Sequence, residues 1–425
     1  MTAIRLRYVA EVNPAVPPSL KVMSDQLLSF LPMEAIGEDW SIDLSRRRPV
    51  AEVLDAYSYF EDGDVVFAKV TPCFENGKAA VMDGLTRGKG FGTTEITVIR
   101  PLGNVSGRFL FYILVENGFK QLGVAEMTGA GGLRRVPDRV VRDYVIDLPS
   151  RAAQDAIVEH LDSEMAQIDI FIADQNELLK LLMERRRATI DRAVMGGSIS
   201  SLGGSNPLES PGRGLPNGWR IGRVRRLLPR VETGTSVNGY PYPAARGEIG
   251  VLKTASVSKG YFIPEENKLV TNNDWDRVST PVRKGSILVN RANSPHLVGS
   301  AAFVRDDTPG LFLSDKIWQL DFASGVNQFL YYWMQSSWYK FQIRSLSVGA
   351  SSSMQNLSYE DFLELKVACP AVHEQRRIAT QLDAELSEVD AAISDARLAM
   401  RLSNERRAAL ISRALEGFAG AASAV

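Results

Sequence analysis

The sequence predicts an α+β protein in which two tandem α/β domains alternate with two long helices that pair as an antiparallel coiled coil. Three observations predict it. First, the stretch from Pro149 to Gly196 recurs without a gap from Pro370 to Gly417. One constant offset carries Gln154 to Gln375, Asp162 to Asp383, Asp169 to Asp390, Arg185-Arg186 to Arg406-Arg407 and Arg192 to Arg413. Second, both copies place their apolar residues alternately four and three apart, the spacing of a coiled-coil seam. Third, acids crowd the first half of each copy and bases the second, less purely in the second copy, which opens on Arg376-Arg377.

The elements run in chain order. Residues 1–148 form the first domain, where short apolar runs such as Val65-Val66-Phe67, bounded by Gly and Pro, read as strands. Residues 149–196 form the first helix. Its seam is Leu161, Met165, Ile168, Ile172, Gln175, Leu179, Leu182, Arg186, Thr189 and Ala193, with no internal Pro or Gly. Roughly 40 residues at about 1.5 Å each make a rod on the order of 60 Å, which needs a partner to bury its stripe. Residues 197–218 are rich in Gly, Ser and Pro and read as a linker.

Residues 219–369 repeat the first domain at nearly the same offset. FEDGDVVFAKV matches VRKGSILVNRA, GKAAVM matches GSAAFV, and RFLFYI matches QFLYYW, a helical stretch whose aromatics are spaced for a core. Residues 370–417 form the second helix, with the seam Leu382, Leu386, Val389, Ile393, Ala396, Met400, Ser403, Arg407, Leu410 and Ala414. It should stop at Gly417, leaving 418–425 as a loosely held tail. Antiparallel pairing sets the acidic half of one helix against the basic half of the other. Acids first and bases last also match the helix macrodipole, and self-association through the same stripe is the alternative to pairing within one chain.

Composition excludes more than it assigns. Lys plus Arg number 49 against 50 Asp plus Glu, so the whole chain carries no basic signal. Two distant cysteines, Cys73 and Cys369, with no signal peptide and no long apolar run, read as a cytoplasmic protein without a membrane segment. His160, His296 and His373 are scattered, and no Cys/His cluster has metal spacing. Gly77-Lys78 lacks the first Gly and the Ser/Thr of a P-loop, and Arg87–Thr94 is Gly-rich without opening a helix. Asp64 and Lys69 alone are weak grounds for a nuclease. The chain reads as non-catalytic, with no cofactor of its own.

Local charge and polar loops remain. Arg213, Arg220, Arg223, Arg225, Arg226 and Arg230 run with no acid until Glu232, and Arg46-Arg47-Arg48 is a second cluster. One loop presents Lys69, Thr71, Asn76 and Lys78, and its counterpart presents Arg291, Asn293, Ser294 and His296. A second pair of loops carries Arg134 and Arg135 in the first domain, and Ser351, Ser352, Gln355 and Asn356 in the other. Arg and Lys suit guanine edges and phosphates, and Asn and Gln suit adenine edges. These side chains are the candidate DNA contacts.

The whole arrangement, from residue 1 to about 417, resembles the specificity subunits of type I restriction–modification systems. GDVVFAKV, KGSILVNRA and GASSSMQNLSYEDFLELKVACPAVHEQRRIATQLD carry the resemblance, the last through a polar loop, a Pro-x-x-x-Glu-Gln-x-x-Ile start and a long helix. The first copy departs from that form, with Ala153 in place of the Glu and Gly131-Gly132-Leu133-Arg134 in place of the Ser-rich loop. The resemblance implies two target-recognition domains, each reading one half of a bipartite sequence in double-stranded DNA, and a helical pair that sets their spacing. It also implies two methyltransferase subunits and added restriction subunits as partners, which would hold S-adenosylmethionine and ATP. Two other classes compete: a stand-alone DNA-acting enzyme, and a coiled-coil assembly module whose domains bind protein.

Overall fold

The computed structural model describes residues 2–130, 132–196, 215–227, 230–322, 326–346 and 355–421. It divides into two compact units, residues 1–175 with 398–425 and residues 176–397.

In the first unit the central sheet is antiparallel, in the order Ala10–Val12, Ile96–Pro101, Val65–Ala68, Ala79–Val81. All four residues of Val65–Ala68 are buried, because alternate side chains serve two different cores. Val65 and Phe67 pack with the helix Gly107–Val115 and the long helix, alongside Phe109, Leu161 and Met165. Val66 faces the other way, onto Leu31, Phe60 and Ile96 beneath a second sheet. That second sheet runs Arg47–Pro49, Leu27–Leu31, Lys89–Gly92, Ser58–Glu61. The first strand, Thr2–Arg5, closes the domain by pairing antiparallel with the last, Val145–Leu148.

The second unit repeats this order of elements. Its central sheet is Arg230–Thr233, Ile317–Asp321, Ile287–Asn290, Ala301–Phe303. Ile287 and Val289 face the helical core, and Leu288 faces the second sheet. The aromatic run forms two helices, Asn327–Gln335 and Ser337–Leu346, with Phe329, Tyr332 and Trp333 buried. Arg220–Arg223 closes the domain against Lys366–Cys369. The second sheet here has three strands instead of four.

The first long helix is Arg151–Val194 and the second is Val372–Ala421. Gly196 takes a left-handed φ of 69° just beyond the first helix, as a helix-stopping glycine does. Gly417 does not stop the second: no Pro comes after it, and the alanines beyond favour continuation, so the helix extends through Ala421. Each domain is tied to a long helix by a duplicated lock. Asp162 accepts from Arg108 Nε at 2.9 Å and from the Tyr112 hydroxyl. Its counterpart Asp383 accepts from Arg305 at 2.8 Å, from the Tyr332 hydroxyl and from Gln328. The motif glutamines act next to these locks. Gln154 donates to Pro149 O at 3.0 Å and accepts from the Ser106 backbone, and Gln375 donates to Pro370 O at 2.8 Å. Both are buried, so each pins the start of its helix to the proline that opens it.

Along the helices Leu161, Met165 and Ile168 are buried, as are Leu382, Leu386, Val389, Ile393 and Ala396. Ile172, Leu179, Leu182, Met400 and Leu410 are half-buried. Within the first unit Arg407 pairs with Asp169 and stacks its guanidinium over Trp40 at 4.9 Å, and Arg406 reaches Glu164 at 2.9 Å. Within the second, Arg186 pairs with Asp390 at 2.7 Å.

Candidate nucleic-acid interface

In the first unit the strand Val65–Ala68 runs on into a loop that the hairpin Thr128–Ala130 and Leu133–Arg135 grips from the side. Val70 bridges Arg135, Val136 N donates to Lys69 O at 2.8 Å, and Thr71 N donates to Arg134 O at 2.9 Å. The Thr71 hydroxyl also donates to Arg134 O, at 3.0 Å. Lys69, Thr71, Arg134 and Arg135 are thus brought to one corner, although about sixty residues separate the pairs.

Acids engage the corner's cations. Arg135 forks onto Glu95 at 2.8 and 2.7 Å, and Arg134 meets Glu75 at 3.3 Å. The hydrogen bond from Arg135 holds the Glu95 carboxyl below its ordinary range. Farther along the loop, Asn76 donates to Glu38 at 2.6 Å and Lys78 reaches Met33 O at 3.4 Å. A guanidinium has five N–H donors, so Arg135 keeps some for another acceptor while Glu95 fixes its plane.

The second unit builds the same corner from different side chains. The strand Ile287–Asn290 continues through Arg291 into Ala292–Asn293, which pairs with Gln355–Asn356. Leu357 N donates to Arg291 O at 2.7 Å, and Arg291 N donates to Lys316 O at 3.0 Å. The Arg291 guanidinium lies 5.7 Å above the Trp318 ring, with a buried Nε that has no hydrogen-bond partner among the described residues. Asn293 accepts from Ser294 N at 2.8 Å and reaches Ser258 at 3.4 Å. Arg291, Asn293, Ser294, Gln355 and Asn356 therefore meet, and His296 lies farther along the loop, exposed. Ser351 and Ser352 lie outside the described residues.

Sequence reasoning missed the partners that set these side chains. Glu95, Glu75 and Glu38 aim or occupy the first corner, and Thr254 and Ser258 hold Asn290 behind the second, at 3.0 and 3.2 Å. The only available signal was the Glu95 position itself, which the repeat aligns with Lys316. The basic run is likewise partly neutralised: Arg223 and Arg225 share Glu364, and Arg230 pairs with Glu232. Asp64, weighed as a nuclease carboxylate, is buried and accepts from Arg100 at 2.9 and 2.7 Å and from Glu61 N at 2.8 Å. No group of metal-binding side chains forms among the described residues, and no described helix is long and apolar enough to cross a membrane.

No protein-family model matches the chain. It is 26% identical over 460 aligned positions to the type I restriction enzyme EcoEI specificity subunit of Escherichia coli, covering 89% of this chain and 76% of that one. It is 35% identical over 167 positions to the EcoAI specificity subunit of Escherichia coli, covering 39% of this chain and 28% of that one. A solved structure from work on complex assembly and conformational transition of the type I R-M system superposes with a TM-score of 0.63 at 17% identity. That match covers 97% of both chains, and it shows a shared fold. The resemblance read from the sequence is therefore borne out: this chain is similar to specificity subunits of type I restriction enzymes, along most of its length to one and over about two fifths of it to the other.

Proposed function

We propose that the chain is the sequence-specific DNA-binding subunit of a type I restriction–modification complex, acting in the cytoplasm without catalysing a reaction. The observation that carries this reading is the duplicated corner. Both units keep the same four-stranded central sheet and the same locks, Asp162 and Asp383, Gln154 and Gln375. What differs is the set of side chains at the corner: Lys69, Thr71, Arg134 and Arg135 in one, Arg291, Asn293, Gln355 and Asn356 in the other. A constant frame with variable polar tips suits two readers of unlike half-sites, since base edges specify while shared contacts position.

The domains 1–148 and 219–369 are the readers in this proposal, and the two long helices are an antiparallel spacer. The reciprocal ion pairs support the direction. Asp169 meets Arg407, and the repeat counterpart of Asp169, Asp390, meets the counterpart of Arg407, Arg186. Early residues of one helix meet late residues of the other in both cases. Two methyltransferase subunits and the restriction subunits are the partners, and they bring S-adenosylmethionine and ATP.

Mapping methylated sites in cells that carry this chain with its methyltransferase tests the proposal. A split motif with a constant gap is expected; methylation without a split motif would overturn it. In the same assay Arg291→Ala and Asn293→Ala should each weaken discrimination at one half-site by about 10- to 100-fold, the range of a good base contact. Unchanged discrimination would remove both from the reading set. Exchanging residues 1–148 for those of another such subunit should alter the other half-site alone.

A further inference from the structure

The two corners differ in nearly every side chain they present, yet one cation recurs behind both. Lys120 comes directly after buried Phe119 in the helix Asn117–Ala125, and Lys340 directly after buried Tyr339 in the helix Ser337–Leu346. Each aromatic anchors its helix to the core and so sets the phase at which the next residue leaves it. In the first domain a Cβ built on Gly77 would lie 3.8 Å from Lys120 Nζ, so the ammonium overhangs the glycine turn that ends the recognition loop. In the second, Lys340 and the matching turn glycine, Gly299, line one concavity of about 170 Å³. Lys259, His296 and Arg344 stand around the same concavity. Burial and the neighbouring Arg187 guanidinium hold the Lys340 ammonium below its ordinary value, and the acid that opposes them is Asp191, whose carboxylate already accepts from the backbone N–H and hydroxyl of Ser337.

We propose that Lys120 and Lys340 are matched phosphate contacts, one per half-site, and that Lys259 and Arg344 extend the second. This rests on the DNA-recognition reading above. An ammonium on a flexible four-carbon stem is a poor discriminator of base edges but an effective point charge for phosphate. The phosphate backbone is what two unlike half-sites have in common, which accounts for a lysine kept in both copies while the tips around it diverge. The concavity has room for a phosphate group, and its rim is cationic.

The test is a salt titration of binding to a DNA duplex that carries the mapped motif, using the full chain co-purified with its methyltransferase subunits. The double variant Lys120→Gln/Lys340→Gln should lower the slope of log affinity against log salt by about two, one for each lost contact. Affinity should fall by the same factor for the motif and for a scrambled duplex. Lys120→Arg/Lys340→Arg should restore the slope, and thermal melting of all variants controls for folding. An unchanged slope in a variant that folds overturns the assignment. So does a loss confined to the motif duplex, because that would make the lysines base readers. If the unsubstituted complex shows no preference for the motif, the DNA-recognition reading falls and takes this inference with it.

Discussion

Inserting one heptad into both long helices, after Gln175 and after its repeat counterpart Ala396, is expected to widen the gap between the methylated half-sites. Seven helical residues add about 10 Å, and successive base pairs are about 3.4 Å apart along the duplex. The gap should therefore grow by about three base pairs while the bases read at each end stay the same. A whole heptad keeps the seam in register, whereas adding it to one helix alone would leave that helix's seam without a partner. Methylome mapping with the lengthened chain provides the measurement. An unchanged gap in a complex that still methylates would show that the helices do not set the spacing.

The largest expected loss of stability comes from Asp383→Ala. Tyr332 is 2% exposed, and its hydroxyl, with Arg305 and Gln328, converges on the Asp383 carboxylate. Removing that acceptor leaves a buried donor unsatisfied, at a cost of about 2–3 kcal/mol. In a unit of this size the melting temperature should drop by about 5–10 °C. Asp383→Asn keeps an acceptor and should lose less. The same site predicts a pH dependence. Burial alone would raise the Asp383 carboxyl, but hydrogen bonds from Arg305 and Tyr332 outweigh it and hold the group below its ordinary value. A depressed carboxyl contributes stability that is present above its unfolded pKa, near 4, and is lost as pH falls through the folded value. Urea midpoints of the unsubstituted chain should decline with acid below about pH 5, and the Asp383→Ala chain should show a flatter profile. Parallel profiles would remove Asp383 as the source.

The long helices and the duplicated order of strands were legible in the sequence because both rest on short-range regularities. A three-and-four spacing shows in a window of a few turns, and a repeat shows by direct overlay. The roles of the motif residues were not legible. Gln154 and Asp162 recur as Gln375 and Asp383, but that Gln154 accepts from the Ser106 backbone and Asp162 receives the Tyr112 hydroxyl depends on a helix some fifty residues away. The corners were half legible. The sequence marked Lys69, Thr71, Arg134 and Arg135 as polar loop residues, but that their two loops meet depends on the bridge between Val70 and Arg135 across some sixty residues. The acids that engage those arginines come from neighbouring strands and loops, where no local spacing reports them. The end of the second helix was misjudged for a different reason: a glycine stops a helix only when the residues beyond it are unable to continue the turn.

The strand Thr2–Arg5 lies beside Val145–Leu148, residue against residue from Thr2 with Leu148 to Arg5 with Val145. Arg220–Arg223 lies beside Lys366–Cys369 in the same way. Each domain is thus entered and left through a single two-stranded doorway. Whatever is threaded between the two jambs can be cut out and replaced as a cassette, provided that the newcomer brings its own pair of closing strands. Exchange of such a cassette would change the side chains a domain presents and leave the pairing of the closing strands and the long helices as they are.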